Sequence, residues 1–346
     1  MSNKYVEMGM RSPVNLTWEV TQACNLRCSH CLSSSGDPAK GELSTAEALD
    51  LVEQLHAARV FQINFGGGEP FIRPDFEQIL AACHGNGIMT CISTNGTLIT
   101  PELVARLASN RLVAIQVSLD GAVRETCDAV RGKGVFDDAI RAVKLLAATK
   151  IPTSINTVLT THNADEIPAM YDLARSLGVS LRVSRFRPSG RGADNWESLR
   201  PTPTQLLAFS DWLAKSGDVR TGDSFFSLTS QERQGLGLNL CGAAKLTCCV
   251  NPTGHMYPCA FLQSDHFEAG DLRRNSFQEI WDSSEIYESF RNLRIHSCEE
   301  CTRFDQCHGG CPAVAWHLKN DINGGDPECL ERCVTSIAES RLKEAA

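Results

Sequence analysis

Residues 14–31 read VNLTWEVTQACNLRCSHC and join a β-prone run to a loop that carries three cysteines. The run ends in Thr-Gln-Ala, and Cys24, Cys28 and Cys31 follow. Cysteine thiolates are the usual protein ligands of iron–sulfur clusters, so one such loop can bind three corners of a 4Fe–4S cube. In α/β barrels, reactive groups gather on the loops at the carboxyl ends of strands, where this loop is expected to lie.

The same cysteines are compatible with two other interpretations. A structural zinc site needs a fourth ligand. His30 is adjacent to Cys31, so the two side chains would be strained if they shared one ion. The thiols can also be ordinary buried cysteines. The loop alone therefore favours a cluster and leaves zinc open.

Around this loop, the chain alternates between β-prone and helical segments. The apolar runs are nearly continuous, as in VAIQV, which is typical of parallel strands buried on both faces. Alternation predicts a parallel α/β domain with right-handed crossovers. Because the pattern ends near Arg187, we predict an open partial (β/α)6 barrel rather than the closed eight-unit form. The predicted strands are residues 14–18, 60–65, 88–93, 112–119, 153–159 and 181–186.

Capping signals mark two helix starts. Ser44-Thr-Ala-Glu forms a capping box ahead of ALDLVEQLHAA. Thr100 precedes Pro101 and Glu102, which suit a first helical turn. Further helices are predicted over residues 136–149, 167–177 and 204–216, the last of them after a loop rich in Gly, Pro and Arg.

Composition excludes several classes of protein. The 346 residues are 42% hydrophobic and 21% charged, with a net charge of −8, and this acidic balance argues against a nucleic-acid-binding surface. The N-terminal MSNKYVEMGMRSP lacks the apolar stretch of a secretory signal. No apolar run approaches the ~20 residues that span a bilayer. We therefore expect a cytoplasmic protein with neither membrane nor nucleic acid as a partner.

The 16 cysteines are unevenly placed, and ten of them follow residue 240. A cytosolic chain keeps its thiols reduced, which favours metal or redox chemistry over disulfides. Cys83, Cys91 and Cys127 lie between the two cysteine-rich regions and are interpreted as core thiols. The expected domains are a barrel over residues 1–200, a connecting helical segment over 201–240 and a cysteine-rich iron–sulfur domain over 241–346.

The pattern CxxxCxxC after the first strand of a βα series resembles the radical S-adenosylmethionine (SAM) enzymes. Three later strand ends match the same family, namely GGGEP at residues 66–70, STNG at residues 93–96 and SLDG at residues 118–121. The resemblance implies a 4Fe–4S cluster with an open iron that binds SAM. Cleavage of SAM there would yield a radical that abstracts hydrogen from the substrate.

The resemblance also implies SAM contacts at these strand ends. Glycines allow close backbone approach, and Glu69 would accept a hydrogen bond from the methionine ammonium. Asn-Gly and Asp-Gly occur at turns in any case, and a solvated loop arginine is the alternative interpretation of Arg131. The predicted contacts are Gly67, Gly68, Glu69, Ser93, Asn95, Ser118 and Arg131.

The C-terminal cysteines resemble the SPASM arrangement, an extension that binds two auxiliary 4Fe–4S clusters. The alternative is a pair of zinc knuckles. Cys249 and Cys333 lie beside the pattern and can replace a neighbouring ligand. By resemblance, the first auxiliary cluster would use Cys241, Cys248, Cys259 and Cys311, and the second would use Cys298, Cys301, Cys307 and Cys329.

Several stretches are similar to the mycofactocin maturases within this family, and RPSGRGADNW at residues 187–196 and TGDSFF at residues 221–226 are the more particular ones. The similarity implies an enzyme that oxidatively decarboxylates the C-terminal tyrosine of a ribosomal precursor peptide. A carbon–carbon bond to the adjacent valine would follow, and an auxiliary cluster would accept an electron. Arg187 and Arg191 are candidates for binding a substrate carboxylate, or are solvated loop arginines.

The same similarity implies protein partners. Residues 1–13 precede the first predicted strand, which we take as too few for a peptide-binding domain. A separate small leader-peptide-binding protein is therefore expected, since such domains bind leaders by β-strand addition. A flavodoxin- or ferredoxin-type protein would supply the low-potential electron.

Two alternatives remain for the function. The first is another SPASM enzyme, of the pyrroloquinoline quinone peptide cyclase or heme-pathway type. The second is a non-enzymatic iron–sulfur electron carrier or zinc scaffold. It explains the cysteines but not the GGGEP strand end or the βα units.

Overall fold

One mostly parallel sheet organises the residues that this computed structural model describes, which are 10–109, 112–216, 218–221, 241–302 and 304–330. The predictions for Cys333, for residues 222–240 of the connecting segment and for TGDSFF beyond Thr221 lie outside these ranges. The strands are β1 (Asn15–Thr21), β2 (Gln62–Gly67), β3 (Met89–Thr94), β4 (Val113–Ser118), β5 (Thr153–Leu159), β6 (Ser180–Arg185), β7 (Arg220–Thr221), β8 (Thr247–Val250), β9 (His255–Tyr257) and β10 (Gly270–Asp271). The sheet order is β10-β9-β8-β1-β2-β3-β4-β5-β6-β7.

Helices connect the parallel strands, because a parallel pair needs a crossover. No helix within the described ranges is long and apolar enough to cross a bilayer. The helices are α1 (Thr45–Ala57), α2 (Phe76–Gly85), α3 (Pro101–Ala108), α4 (Arg124–Arg131), α5 (Val135–Ala147), α6 (Ile167–Ser176), α7 (Arg191–Asp194), α8 (Trp196–Leu199), α9 (Pro203–Lys215), α10 (Phe277–Ser283), α11 (Glu285–Arg291), α12 (Phe304–Cys307) and α13 (Pro312–Lys319).

The predicted α/β class and the six predicted strands are confirmed, since β1 to β6 run parallel in sequence order. The Ser44 capping box and the Thr100 cap are also present. The sequence prediction missed helices α2, α4, α7, α8 and α10 to α13, and it missed strands β7 to β10. Helix α4 was overlooked because its eight residues, RETCDAVR, are mostly polar and leave too short an apolar stripe to recognise.

The strands are not buried on both faces, and that prediction was wrong. In β4, Val113, Ile115 and Val117 are buried, whereas the alternating Ala114, Gln116 and Ser118 border a cavity of about 1010 Å³. Successive strand residues point to opposite faces. The apolar face therefore packs under the helices, and the other face stays polar because the open barrel encloses a cavity instead of a packed core.

The cysteine-rich region is built onto the same sheet. Strand β8 pairs in parallel with β1, and β9 and β10 continue the sheet in antiparallel pairs. Phe277, Trp281, Tyr287 and Phe290 are buried there and belong to the main hydrophobic core. The cysteine-rich region is therefore packed on a hydrophobic core that it shares with the barrel.

A buried ion-pair group ties this region to the barrel. The Arg185 guanidinium at the end of β6 donates to Asp326 Oδ1 at 2.8 Å and to Glu328 Oε2 at 2.9 Å. Asp326 Oδ2 also accepts from the Cys311 backbone N–H at 3.0 Å. One carboxylate therefore links a barrel strand to a predicted cluster ligand.

Candidate active site

Cys24, Cys28 and Cys31 lie together at the carboxyl end of β1 and border the large cavity. The thiols are close enough that the charges of Cys24 and Cys31 act on Cys28. Burial raises the pKa of Cys24 and of Cys28, which favours their protonated form. A cationic centre that binds these thiols must therefore displace their protons. Across the described residues, no three His, Cys, Asp or Glu side chains converge tightly enough to hold a single metal ion.

The glycines at the end of β2 press directly against the cysteine loop. The Gly68 N–H donates to Thr21 O at 2.7 Å, and the Glu69 N–H donates to Ala23 O at 2.8 Å. A Cβ on Gly68 would lie 1.9 Å from Ala23 O, and Gly67 has a φ of 96°. Only glycine permits this approach, which holds the loop at the edge of the cavity.

We expect Gly68→Ala to lower the stability of the protein by about 3 kcal/mol, because the new methyl group clashes with backbone rather than with a mobile side chain. The measurement is thermal unfolding of the anaerobically prepared protein. Gly85→Ala in α2 is the matched control, since a Cβ there meets nothing within 4 Å and helix propensity favours alanine by up to about 1 kcal/mol. Equal melting temperatures for the two variants would refute the steric argument.

Glu69 joins the ends of β2 and β3. Its carboxylate accepts from Thr94 Oγ1 and from the Asn95 backbone N–H, both at 2.8 Å. The side chain is buried, and burial raises the pKa of Glu69 to about 7. The sequence prediction made Glu69 an acceptor for SAM. The structure adds a positioning role, because these protein donors already hold the carboxylate at the cavity wall.

The other predicted strand-end contacts also border the cavity. The Asn95 amide donates to Asn25 Oδ1 at 2.9 Å and lies 4.0 Å from Cys24 Sγ. Ser93 Oγ accepts from the Gln116 amide at 3.3 Å, and Ser118 lies on the next strand. The tertiary structure thus brings together residues that the sequence separates.

Arg131 is a buried ion-pair partner and not a solvated loop arginine. Its Nε lies 2.6 Å from Asp120 Oδ2, and His30 Nε2 lies 3.0 Å from the same oxygen. Arg131 Nη1 lies 4.0 Å from Cys28 Sγ. Burial acts to raise the pKa of Asp120, but Arg131 and His30 outweigh it and hold that pKa well below its usual range. The sequence prediction missed Asp120, although the Asp of SLDG was the available signal.

Arg191 supports the cysteine loop from the opposite side. Its Nε donates to Cys28 O at 3.0 Å and its Nη1 to Ser35 O at 2.9 Å. Both contacts go to backbone carbonyls, so Arg191 positions the loop in this structure. Arg187, the other arginine considered for a substrate carboxylate, borders the cavity and lies 4.3 Å above the Phe261 ring.

The C-terminal cysteines form two groups. Cys241, Cys259 and Cys311 are close enough for their charges to act on one another. Cys307 is surrounded in the same way by Cys298, Cys301 and Cys329. These two groups contain seven of the eight cysteines that the family resemblance assigns to auxiliary clusters, and Cys248 is the eighth.

Comparison with known proteins decides between the remaining interpretations. The radical SAM superfamily profile matches residues 18–174, and the profile of the iron–sulfur cluster-binding SPASM domain matches residues 241–308. The mycofactocin maturase MftC of Mycobacterium tuberculosis is 43% identical over 331 residues, which are 94% of this chain and 85% of that protein. The chain belongs to the radical SAM/SPASM family.

An AdoMet-dependent heme synthase of Methanosarcina barkeri is 30% identical over 344 residues, which are 93% of this chain and 97% of that protein. The crystal structure of Streptococcus suis SuiB bound to its precursor peptide SuiA superposes with a TM-score of 0.77 at 18% identity, covering 94% of this chain and 77% of SuiB. The fold of this chain is thus shared by a protein with which it has only 18% sequence identity.

Membership of the radical SAM/SPASM family makes this protein an enzyme that catalyses radical chemistry with SAM and iron–sulfur clusters. It removes the non-enzymatic electron carrier and the zinc scaffold as alternatives. The described residues fit these cofactors, because a group of three thiols, a glycine-lined strand end and a buried arginine border one cavity.

The register of β8 in this radical SAM/SPASM enzyme separates two adjacent cysteines. Cys248 pairs with Leu16 and Cys249 pairs with Thr17, so they point to opposite faces of the sheet. Cys248 faces Tyr287, whereas Cys249 faces Cys259. Of these two adjacent cysteines, Cys249 is therefore the one that lies near Cys259, with the Glu19 carboxylate as its other charged neighbour.

Proposed function

We propose that this enzyme is a peptide maturase of the mycofactocin type. It decarboxylates the C-terminal tyrosine of a ribosomal precursor peptide oxidatively and then links it to the adjacent valine by a carbon–carbon bond. The observation that carries the proposal is the identity of 43% with a mycofactocin maturase over 94% of this chain. The heme synthase covers a similar share at only 30% identity.

We propose that the predicted residues hold the cofactors. Cys24, Cys28 and Cys31 hold the first 4Fe–4S cluster, and the strand ends of β2 to β4 with Arg131 bind SAM. When bound, SAM and this cluster supply the one-electron chemistry that removes a hydrogen atom from the substrate. The protein positions both through Gly68, Glu69 and Asp120.

The cavity is large enough for a cofactor and a peptide end together. Its volume of about 1010 Å³ is at the upper end of the ~300–1,000 Å³ that single-ligand pockets span. It runs from the cysteine loop along the polar inner faces of β1 to β6. A peptide C-terminus that enters the barrel would meet the SAM site in a space enclosed by protein, which limits access of water.

We propose two auxiliary clusters, which bring the total to three, or about twelve irons per chain. Cys298, Cys301, Cys307 and Cys329 hold one of them. Cys241, Cys259 and Cys311, joined by Cys249 in place of Cys248, form the other site. One of these clusters accepts the electron that oxidative decarboxylation releases.

Cys248→Ala is expected to leave the iron content unchanged, because its thiol faces the hydrophobic core beside Tyr287. Cys249→Ala is expected to alter the auxiliary-cluster electron paramagnetic resonance signal. The two variants are matched controls for each other, as adjacent buried cysteines of one strand. Loss of iron from the Cys248 variant alone would reverse the assignment.

We also propose that two proteins serve the enzyme, on the basis of its similarity to the mycofactocin maturases. A separate small leader-binding protein presents the precursor peptide. A flavodoxin- or ferredoxin-type donor supplies the low-potential electron.

Anaerobic incubation with SAM, a reductant, the leader-binding protein and a precursor ending in Val-Tyr tests the function. Mass spectrometry is expected to show loss of one carbon dioxide and two hydrogen atoms from the peptide. A precursor whose terminal tyrosine is replaced by alanine is the control and should not change mass. An unmodified Val-Tyr peptide, combined with turnover of a heme-pathway substrate, would favour the alternative SPASM function.

A further inference from the structure

Two arginines face the interior of the barrel at its β7 edge. Arg182 of β6 pairs with Asn156 of β5 on one side and with Arg220 of β7 on the other. Residues paired across parallel strands point to the same face of the sheet. Arg182, Arg220 and the predicted SAM contact Ser118 all border the same cavity, so the two guanidinium groups belong to its wall.

These two cations have no counter-charge among the residues that the structure describes. Burial lowers the pKa of Arg182, and Arg187 and Arg220 lower it further. The nearby Cys91 thiol stays neutral, because burial raises its pKa. Adjacent like charges are destabilising. Arg220 is exposed to solvent, but Arg182 is half-buried, and a cation partly removed from water gains from an anionic partner. The position is therefore suited to an anion from outside the chain.

Other arginines at the cavity are already engaged. Arg185 pairs with Asp326 and Glu328, and Arg191 holds backbone carbonyls of the cysteine loop. No such hydrogen bond or ion pair fixes the Arg182 guanidinium within the described part of the chain. Arg182 differs from them because none of the described residues forms a hydrogen bond or ion pair with its guanidinium group.

The guanidinium fork suits a planar carboxylate, which it can bind through two parallel hydrogen bonds. A carboxylate can come from SAM or from the peptide. By the proposed function, the cysteine loop and Arg131 would hold the methionine end of SAM, away from Arg182. We infer that Arg182, with Arg220 as a second cation, binds the C-terminal carboxylate of the peptide substrate inside the barrel. This inference rests on the proposed function.

The arrangement gives the enzyme a way to recognise a peptide terminus. A carboxylate on Arg182 would hold the last residue within the cavity that also contains the SAM contacts. An internal Val-Tyr sequence or a C-terminal amide offers no anion at this point. The decarboxylated product offers none either, so it should bind more weakly than the substrate.

The test compares peptide binding, so it does not depend on turnover. Reconstituted enzyme with its leader-binding partner is titrated with a Val-Tyr precursor that ends in either a free acid or an amide. We expect the free acid to bind wild-type enzyme about ten- to hundredfold more tightly than the amide. Arg182→Gln should abolish this ratio, and Arg182→Lys should keep only part of it. Arg274→Gln, at an exposed surface position, should keep the full ratio.

The ratio of free-acid to amide affinity, measured within one variant, does not depend on the fraction of protein that is folded. A poorly folding variant can therefore still be compared with the wild type. The dissociation constant of SAM distinguishes the two sources of carboxylate. Weaker SAM binding by Arg182→Gln with an unchanged acid-to-amide ratio would overturn the inference in favour of SAM. Equal binding of acid and amide to the wild type would overturn the inference alone. Failure of both peptides to bind would overturn the peptide-maturase proposal and the inference with it.

Discussion

Alanine at Cys24, Cys28 and Cys31 together is expected to abolish SAM cleavage while most of the iron stays bound. These three thiols border the cavity beside the predicted SAM contacts, whereas the two auxiliary groups lie in the C-terminal region. The variant should therefore lose about four of about twelve irons per chain. Iron and sulfide analysis of anaerobically prepared protein measures the first effect, and chromatography of SAM cleavage products measures the second.

Cys83→Ala is the control for this experiment. Cys83 is a buried thiol of α2 within the hydrophobic core, so its loss should cost about 1–2 kcal/mol of stability and no iron. Residual SAM cleavage by the triple variant would contradict the assignment of the loop. Loss of all iron would instead show that the auxiliary sites depend on the first cluster.

Asp326→Ala is expected to destabilise the protein by about 3–5 kcal/mol, because it leaves the Arg185 guanidinium buried with only part of its counter-charge. Arg185 and Asp326 side chains are 2% and 1% exposed, so water cannot replace the lost carboxylate. The same carboxylate accepts from the Cys311 N–H. The variant should consequently also hold its first auxiliary cluster less firmly.

Denaturant unfolding under anaerobic conditions measures the free energy, and the auxiliary electron paramagnetic resonance signal reports the cluster. Glu197→Ala is the matched control. The Glu197–Arg200 pair has the same kind of N–O contact, at 2.9 Å, but its carboxylate is 78% exposed. Such exposed pairs contribute at most about 1 kcal/mol. A similar small effect for Asp326→Ala would show that the buried group does not tie the barrel to the SPASM region.

The sequence was sufficient for features that depend on neighbours along the chain. The Ser44 capping box, the Thr100 cap and the six strands follow local patterns of apolar and capping residues, and the structure confirms them. The three-cysteine loop and the cysteine spacing after Cys241 identified the family, because both motifs consist of residues at fixed distances along the chain. Short elements such as α4 and β7 escaped, since eight and two residues do not establish a periodic pattern.

Only the tertiary structure decided features that depend on strand register and on packing between distant segments. The register of β8 on β1 determines the face of the sheet on which Cys248 and Cys249 each lie. The sequence TCCV alone does not predict that register. The roles of Asp120 beside Arg131 and of Arg182 in the barrel wall also arise from folding. Charge and burial act through space, so the chemistry of such side chains is determined by neighbours that the chain brings together only when it folds.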